Sequence, residues 1–232
     1  MKADSSSIEG KHLIRRLLSS NIPITVVDKI FFDDELEAIH RDFPRSKSLL
    51  GVIIGDIRDK DAMRNALGSD VIGVLHLAAV SRVLWCLQNE PDCEDVNVAG
   101  TKGALESMEK ARVGSWFIQA SSREVYGVAE AFPVTEDVPH NTANVYGASK
   151  ARAETAIEQH ILERDGKSGT SSPFRAIALR LSNIYGGQAD HRKRLIPSIT
   201  TNALAHRTIQ IVGGDQDVSF SEHASRYSTD SI

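Results

Sequence analysis

Tyr146 and Lys150 stand four residues apart in Tyr146-Gly147-Ala148-Ser149-Lys150. On a helix that spacing places both side chains on one face, one turn apart. An ammonium beside a phenol favours the phenolate and lowers its pKa from about 10 toward working pH. The tyrosine then becomes a usable general base for a hydroxyl group. Spacing alone is weak support, because a surface tyrosine beside a solvated lysine gives the same pattern. Ser121-Ser122-Arg123-Glu124-Val125-Tyr126-Gly127 adds weight, since it follows directly on the apolar run 115–120. Open α/β sheets place their ligands at the carboxyl ends of strands. A serine hydroxyl there can donate to a developing alkoxide while the tyrosine moves the proton. Its plainer role is a turn or a cap.

The elements that must position these groups alternate between two kinds. Short runs at 24–28, 52–54, 71–78, 115–120 and 175–180 carry consecutive apolar residues, the pattern of strands buried on both faces. Helical patterns lie between them at 9–19, 34–42, 59–67, 81–110 (two helices) and 147–164. Such alternation predicts an α/β fold whose parallel sheet is covered by helices, and right-handed crossovers make it doubly wound and Rossmann-like. Residues 167–173 read as a solvated loop. Residues 219–232 are rich in serine and charge, without periodicity, and read as a disordered tail.

Composition narrows the partners. The 232 residues are 41% hydrophobic and 25% charged, with a formal net charge of -4, which suits a folded domain and gives no basic face for nucleic acid. The basic cluster His191-Arg192-Lys193-Arg194 is too short for that role; it reads as a solvated helix start or an anion-contacting turn. No apolar run reaches the length of a membrane span, and Met1 to Ser7 holds no apolar signal core. Cys86 and Cys93, placed on one continuous helix, would lie ~10 Å apart, too far for a relaxed disulfide. Neither has the spacing of a metal site, so free thiols and a cytoplasmic location are expected.

Six ordered segments together resemble the extended short-chain dehydrogenase/reductase superfamily, in its NAD-dependent epimerase/dehydratase branch and of the UDP-glucose 4-epimerase-like kind. They are Val27-Asp28, Gly55-Asp56-Ile57-Arg58-Asp59, His76-Leu77-Ala78-Ala79, Asn97-Val98-Ala99-Gly100-Thr101, the Ser121 and Tyr146 motifs, and Ala178 through Gly186. The resemblance implies NAD as cofactor, a nucleotide sugar as substrate, and a homodimer formed through the helix after Asn97 and the helix of Tyr146. It implies that Asp28 binds the adenosine ribose and disfavours NADP, that Asp56 and Ile57 flank the adenine, and that Leu77, Ala78 and Ala79 let the backbone approach the cofactor. Asn97 would hold the central helix against the active-site strand. Lys150 would also bond the nicotinamide ribose, and Asn183 would meet the substrate's diphosphate or sugar.

The implied chemistry is reversible oxidation of a sugar hydroxyl, with Tyr146 as base and Ser122 assisting. Sugar dehydratases resembling this chain carry an acidic pair at the positions of Arg123 and Glu124; here only Glu124 is acidic, which favours epimerisation over dehydration. A UDP-glucuronate decarboxylase shares the Glu-Val-Tyr-Gly context. A reductase of another hydroxyl or ketone substrate fits Arg180 through Gly186 less well. Of the family's glycine-rich turn only residues 8–13 resemble the tail, with Gly10 in the last glycine position. The expected architecture is therefore a Rossmann-like domain over 1–218 without its first strand, with a substrate-binding region starting near 183 and most of that smaller domain lacking. A catalytically silent family member that acts only by binding is the competing expectation.

Overall fold

The computed structural model describes residues 8–112, 115–129, 131–166, 174–186 and 195–208. The expected loop at 167–173, the basic cluster 191–194 and the tail 219–232 lie outside the described residues.

Helix α1 (Ile8–Ser19) buries Ile14 and Leu18, four residues apart on one face, beside Ile39 of α2 (Asp33–Asp42). Its polar face is tied to α2 through Lys11–Glu35 at 2.9 Å and Arg15–Asp42 at 2.5 Å. Strand β1 (Ile24–Asp28) lies between these helices in sequence and pairs in parallel with β2 (Leu50–Ile54), which the short helix α3 (Ser46–Leu49) precedes. Asp59 then caps α4 (Lys60–Ala66), its carboxylate accepting the backbone N–H groups of Asp61 and Ala62.

Beyond α4 come β3 (Gly73–His76), the helical segment 83–111, β4 (Trp116–Ser122), α8 (Val145–Gly166), β5 (Arg175–Leu181) and α9 (Leu195–Leu204). Every strand pairing is parallel, as the alternating sequence predicts. The strands nevertheless form two sheets, β1-β2 and β3-β4-β5. In the doubly wound order 3-2-1-4-5-6 the first strand sits between such halves. Strands β2, β1, β3, β4 and β5 take places 3, 2, 4, 5 and 6, and the described residues put no strand in place 1. Among the described residues the sheet is thus Rossmann-like, with place 1 unfilled. Both halves still share one apolar cluster, in which Met63 of α4, Val27 of β1 and Val74 of β3 meet.

Two expectations need correction. The segment 83–111 is not two plain helices: α5 (Val83–Gln88) and α6 (Glu90–Glu94) are followed by a π-helical turn (Asp95–Ala99) and α7 (Gly100–Ala111). The break falls at Asn89, whose φ of -139° and ψ of 53° leave the helical region, and Pro91 lies in the first turn of α6. That turn brings Cys86 and Cys93 to a Cα–Cα distance of 5.3 Å, and they form a disulfide rather than two free thiols. The ~10 Å separation assumed one uninterrupted helix.

The second correction concerns burial. One face of β4 is sealed: Phe117 is 0% exposed and packs in the cluster with Leu105 and Met108 of α7 and Ile157 of α8. On β5, however, Ile177 is 54% and Leu179 43% exposed. Among the described residues, the apolar run of β5 is therefore not buried on both faces.

Candidate active site

The turn after β4 and the start of α8 meet at a close approach. Gly147 lies in the first turn of α8, and a Cβ there would stand 2.5 Å from the Glu124 carbonyl oxygen. Only hydrogen fits, so Tyr146 and the turn following Ser122 are pressed together. Asn144 locks this contact from both sides. Its Oδ1 accepts the Gly147 N–H at 2.8 Å, and its Nδ2 donates to Glu124 Oε2 at 2.8 Å. Glu124 also lies 3.6 Å from exposed Arg123. Ser122 is buried, and its Oγ accepts the Glu124 N–H at 3.2 Å. The cap expected as the plainer role is present, and it uses the oxygen as acceptor, so the O–H proton remains available to donate.

Lys150 is only 4% exposed. Its Nζ donates to the backbone oxygen of Ala120 on β4 at 2.8 Å. Burial pushes the ammonium down to about 8, with the Glu154 carboxylate pulling the other way. Tyr146 is half-buried against the main core. The residues expected to do chemistry, Ser122, Tyr146 and Lys150, are therefore gathered where β4 ends.

Asn97 sits in the π-helical turn and is 1% exposed. It ties three parts of the molecule: its Oδ1 accepts the Val80 N–H at 2.7 Å, and its Nδ2 donates to Val80 O at 3.2 Å and to Ser149 Oγ at 2.9 Å. The contact runs to the loop after β3 and to α8, rather than to β4 itself. Leu77 and Ala78, half-buried, and buried Ala79 occupy that loop beyond the end of β3.

Asp28, the last residue of β1, is 1% exposed, and its carboxylate accepts the Ile30 N–H at 3.2 Å. Asp56 follows β2 and is gripped by Lys29 at 2.6 Å and Arg58 at 2.7 Å. The Arg58 guanidinium holds its carboxyl well below the usual carboxylate range, with Lys29 adding to the effect. Arg58 also reaches Asp92 and Asp95, joining the end of β2 to α6 and the π turn. Ile57 is buried, and its Cδ1 would be 2.5 Å from a Cβ on Gly100. The Ile57 side chain thus packs inward, which leaves its backbone for any ligand contact. Gly10 lies inside the first turn of α1 and is buried. Asn183 is exposed just beyond β5. Asp28, Asp56, Ala78, Ser122 and Asn183 all follow or end parallel strands, on the edge where such sheets bind nucleotides.

Sequence reasoning missed a second polar cluster beside this edge. Glu154 of α8, 3% exposed, accepts the Ser121 hydroxyl and a paired contact from Arg180 Nε and Nη2 at 3.1 and 2.8 Å. Arg180 also donates to Tyr126 Oη at 2.9 Å, to the Glu136 carbonyl at 2.9 Å and to His140 Nε2 at 2.7 Å. Tyr146, Lys150 and Glu154 stand at successive four-residue steps, which puts them on one helix face, but nothing local marks Glu154 as buried. His76 of β3 is also buried, and burial and Lys150 push it down to about 3, so it is a neutral imidazole. Thr101 donates to Asn97 O at 2.7 Å, leaving its oxygen to accept from His76 Nε2 at 3.0 Å. No described residues form a cluster able to hold a metal ion, and no helix among them is long and apolar enough to cross a membrane.

Known proteins resemble this chain over most of its length. A putative UDP-glucose 4-epimerase from Methanocaldococcus jannaschii is 27% identical over 207 residues, covering 89% of this chain and 63% of that protein. A UDP-glucose 4-epimerase from Mycolicibacterium smegmatis is 31% identical over 210 residues, covering 90% of this chain and 64% of its own length. The chain thus spans less than two thirds of either relative. Among solved structures, a dTDP-glucose 4,6-dehydratase from Streptomyces venezuelae with NAD bound superposes with a TM-score of 0.73 at 25% identity, covering 88% of this chain and 61% of that one. The family model described as the NAD dependent epimerase/dehydratase family matches residues 6–221. With that match spanning most of its length, the chain belongs to the NAD-dependent epimerase/dehydratase family.

Proposed function

We propose that this chain carries the cofactor-binding and proton-transfer part of an NAD-dependent nucleotide-sugar epimerase. The observation that carries the reading is the Gly147–Glu124 approach, which sets Tyr146 and Lys150 against the turn of Ser122. The residues present fit NAD at both of its ends. Buried Asp28 offers a carboxylate to a ribose at the end of β1, and Lys150 and Tyr146 lie at the end of β4, where the second ribose would sit. Asp28 also disfavours an added phosphate, and so NADP. The cofactor supplies a reversible hydride acceptor. Tyr146 takes the proton from a sugar hydroxyl and later returns it, Lys150 favours the phenolate by its charge, and Ser122 donates to the oxygen whose charge develops.

Epimerisation is preferred to dehydration because one of the two acidic positions is Arg123, and Glu124 is engaged by Asn144. The resemblance to UDP-glucose 4-epimerases supports the same choice and points to a UDP-hexose as substrate class. A second reading, binding without turnover, draws support from the division into two sheets, because a pyrophosphate cradle ordinarily follows the strand in place 1. Titration calorimetry with NAD, followed by an epimerase assay on UDP-glucose, separates the two. Binding with turnover that Tyr146→Phe abolishes is the expected result, with cofactor affinity retained in the variant. No heat at millimolar NAD would overturn the enzyme reading.

A further inference from the structure

We infer that Glu154, one turn beyond Lys150 on the same face of α8, is a positioning residue that holds Lys150 as an ammonium inside the fold, and that Arg180 sets how strongly it does so. The inference rests on the reading of Lys150 as the charge that favours the Tyr146 phenolate.

The argument begins with a cost. An ammonium that is 4% exposed loses nearly all its hydration, and burial of an unpaired charge is expensive enough that the group ordinarily gives up its proton. Neutral Lys150 would be of no electrostatic use to Tyr146. Its hydrogen bond to the Ala120 carbonyl supplies a dipole and not a charge. The carboxylate that can compensate is Glu154, itself 3% exposed. Residues four apart on a helix have neighbouring side chains. The strand contacts agree: Lys150 is bound to Ala120 and Glu154 to the adjoining Ser121.

The other groups around Lys150 do not take over this task. His76, from β3, is neutral and its cationic form would repel the ammonium. Tyr146, on α8, is the group to be ionised. The disulfide of Cys86 and Cys93 carries no charge, and Glu94 of α6 is paired with exposed Arg152 at 2.5 Å. Burial lowers Lys150 and Glu154 raises it, the two opposing influences on this amine.

Glu154 is in turn shared. Arg180 of β5 grips it through Nε and Nη2, and His140 Nε2 lies 3.2 Å from its Oε2. The positive charge of Arg180 offsets part of the carboxylate's potential at Lys150 and itself disfavours a second cation there. Removing the carboxylate and removing its competitor must therefore move Lys150 in opposite directions. A lesion that merely loosened the packing would admit water and raise both toward 10.5, the ordinary lysine value.

The test reads Lys150 directly, in the full chain without cofactor or turnover. NMR titration of protein carrying 13Cε-lysine, with the Lys150 signal assigned from its loss in Lys150→Met, gives the midpoint. The native chain should titrate near 8. Glu154→Gln should lower the midpoint by ~1 pH unit, Glu154→Asp should restore it, and Arg180→Gln should raise it. An unchanged or raised midpoint in Glu154→Gln, or shifts of the same sign in both Gln variants, would overturn the inference. If Glu154→Gln does not fold, Arg180→Lys, which keeps the competing charge, should leave the midpoint near 8 while Arg180→Gln raises it, and equal rises in both would overturn the inference. Opposite shifts without any epimerase activity would overturn the functional reading and leave this one standing.

Discussion

Asn97 and Ser149, fifty-two residues apart in sequence, meet at 2.9 Å in the interior, and Ser149 passes the contact on by donating to the Tyr146 carbonyl at 2.8 Å. Tyr146, the proposed general base, is thereby seated from behind by a residue of another segment. Asn97 has both ends of its amide occupied, so its replacement leaves several buried groups without partners. Asn97→Ala should destabilise the chain by about 2–3 kcal/mol in urea unfolding. A loss below half a kcal/mol would mean the amide is dispensable.

Gly147 is held against backbone, and backbone cannot swing aside as a flexible side chain can. Gly147→Ala should cost about 1–3 kcal/mol through overpacking. It should also reduce turnover more than Ala substitutions elsewhere on α8, because the displaced residue adjoins Tyr146. An unaltered thermal midpoint would show that α8 stands further from the Glu124 turn than described.

The buried imidazole gives the chain an acid-sensitive component. His76 titrates near 3 in the fold against 6.5 when exposed. Its contribution to stability is present in full above 6.5 and is lost as pH falls toward 3, because the unfolded chain takes up the proton first. Between those limits the loss from this group approaches ~1.4 kcal/mol per pH unit. His76→Gln should flatten the slope of thermal midpoint against pH in that window. A slope identical to the native chain's would assign the effect elsewhere.

The Cys86–Cys93 link closes a loop with a sequence separation of 7 across the break at Asn89. Chain-entropy arguments give such a small loop about 2–3 kcal/mol. The doubly substituted Cys86→Ala/Cys93→Ala chain should unfold at correspondingly lower denaturant. Addition of a dithiol reductant should weaken the native chain and leave the variant unmoved; equal sensitivity in both would rule out the bridge.

Much of this architecture was legible because it depends on local pattern. Strand 24–28 matches β1, and the predicted helices at 34–42 and 147–164 agree with α2 and α8 to within a few residues, since apolar spacing and flanking turns are properties of short stretches. The union of Ser122, Tyr146 and Lys150 was also legible, because a strand end and a helix face are definable from sequence. What escaped was cooperative. The break at Asn89 depends on the preceding helix yielding to Pro91, and without it the cysteine geometry came out wrong. Glu154 looked like any helix-surface carboxylate until Arg180, Ser121 and His140 converged on it from three other segments. Long-range convergence leaves no local signature.

The division of the strands into a pair and a triplet has a further consequence, for how the molecule breathes. Backbone N–H and C=O groups in β4 are paired on both sides, whereas β1 and β3 each have one partner strand. Among the described residues no strand-to-strand hydrogen bond joins the pair to the triplet, so the two bodies can open at different free energies. Amides of β4 should be the slowest in the chain to exchange with solvent deuterium, and those of β1 and β2 should exchange earlier and together. The proposed catalytic residues lie at the end of the triplet's β4 and on α8 packed against it, and Asp28, the proposed ribose ligand, rides on the pair. A nucleotide reaching both would lock the two bodies as one, and its affinity would carry the cost of that locking.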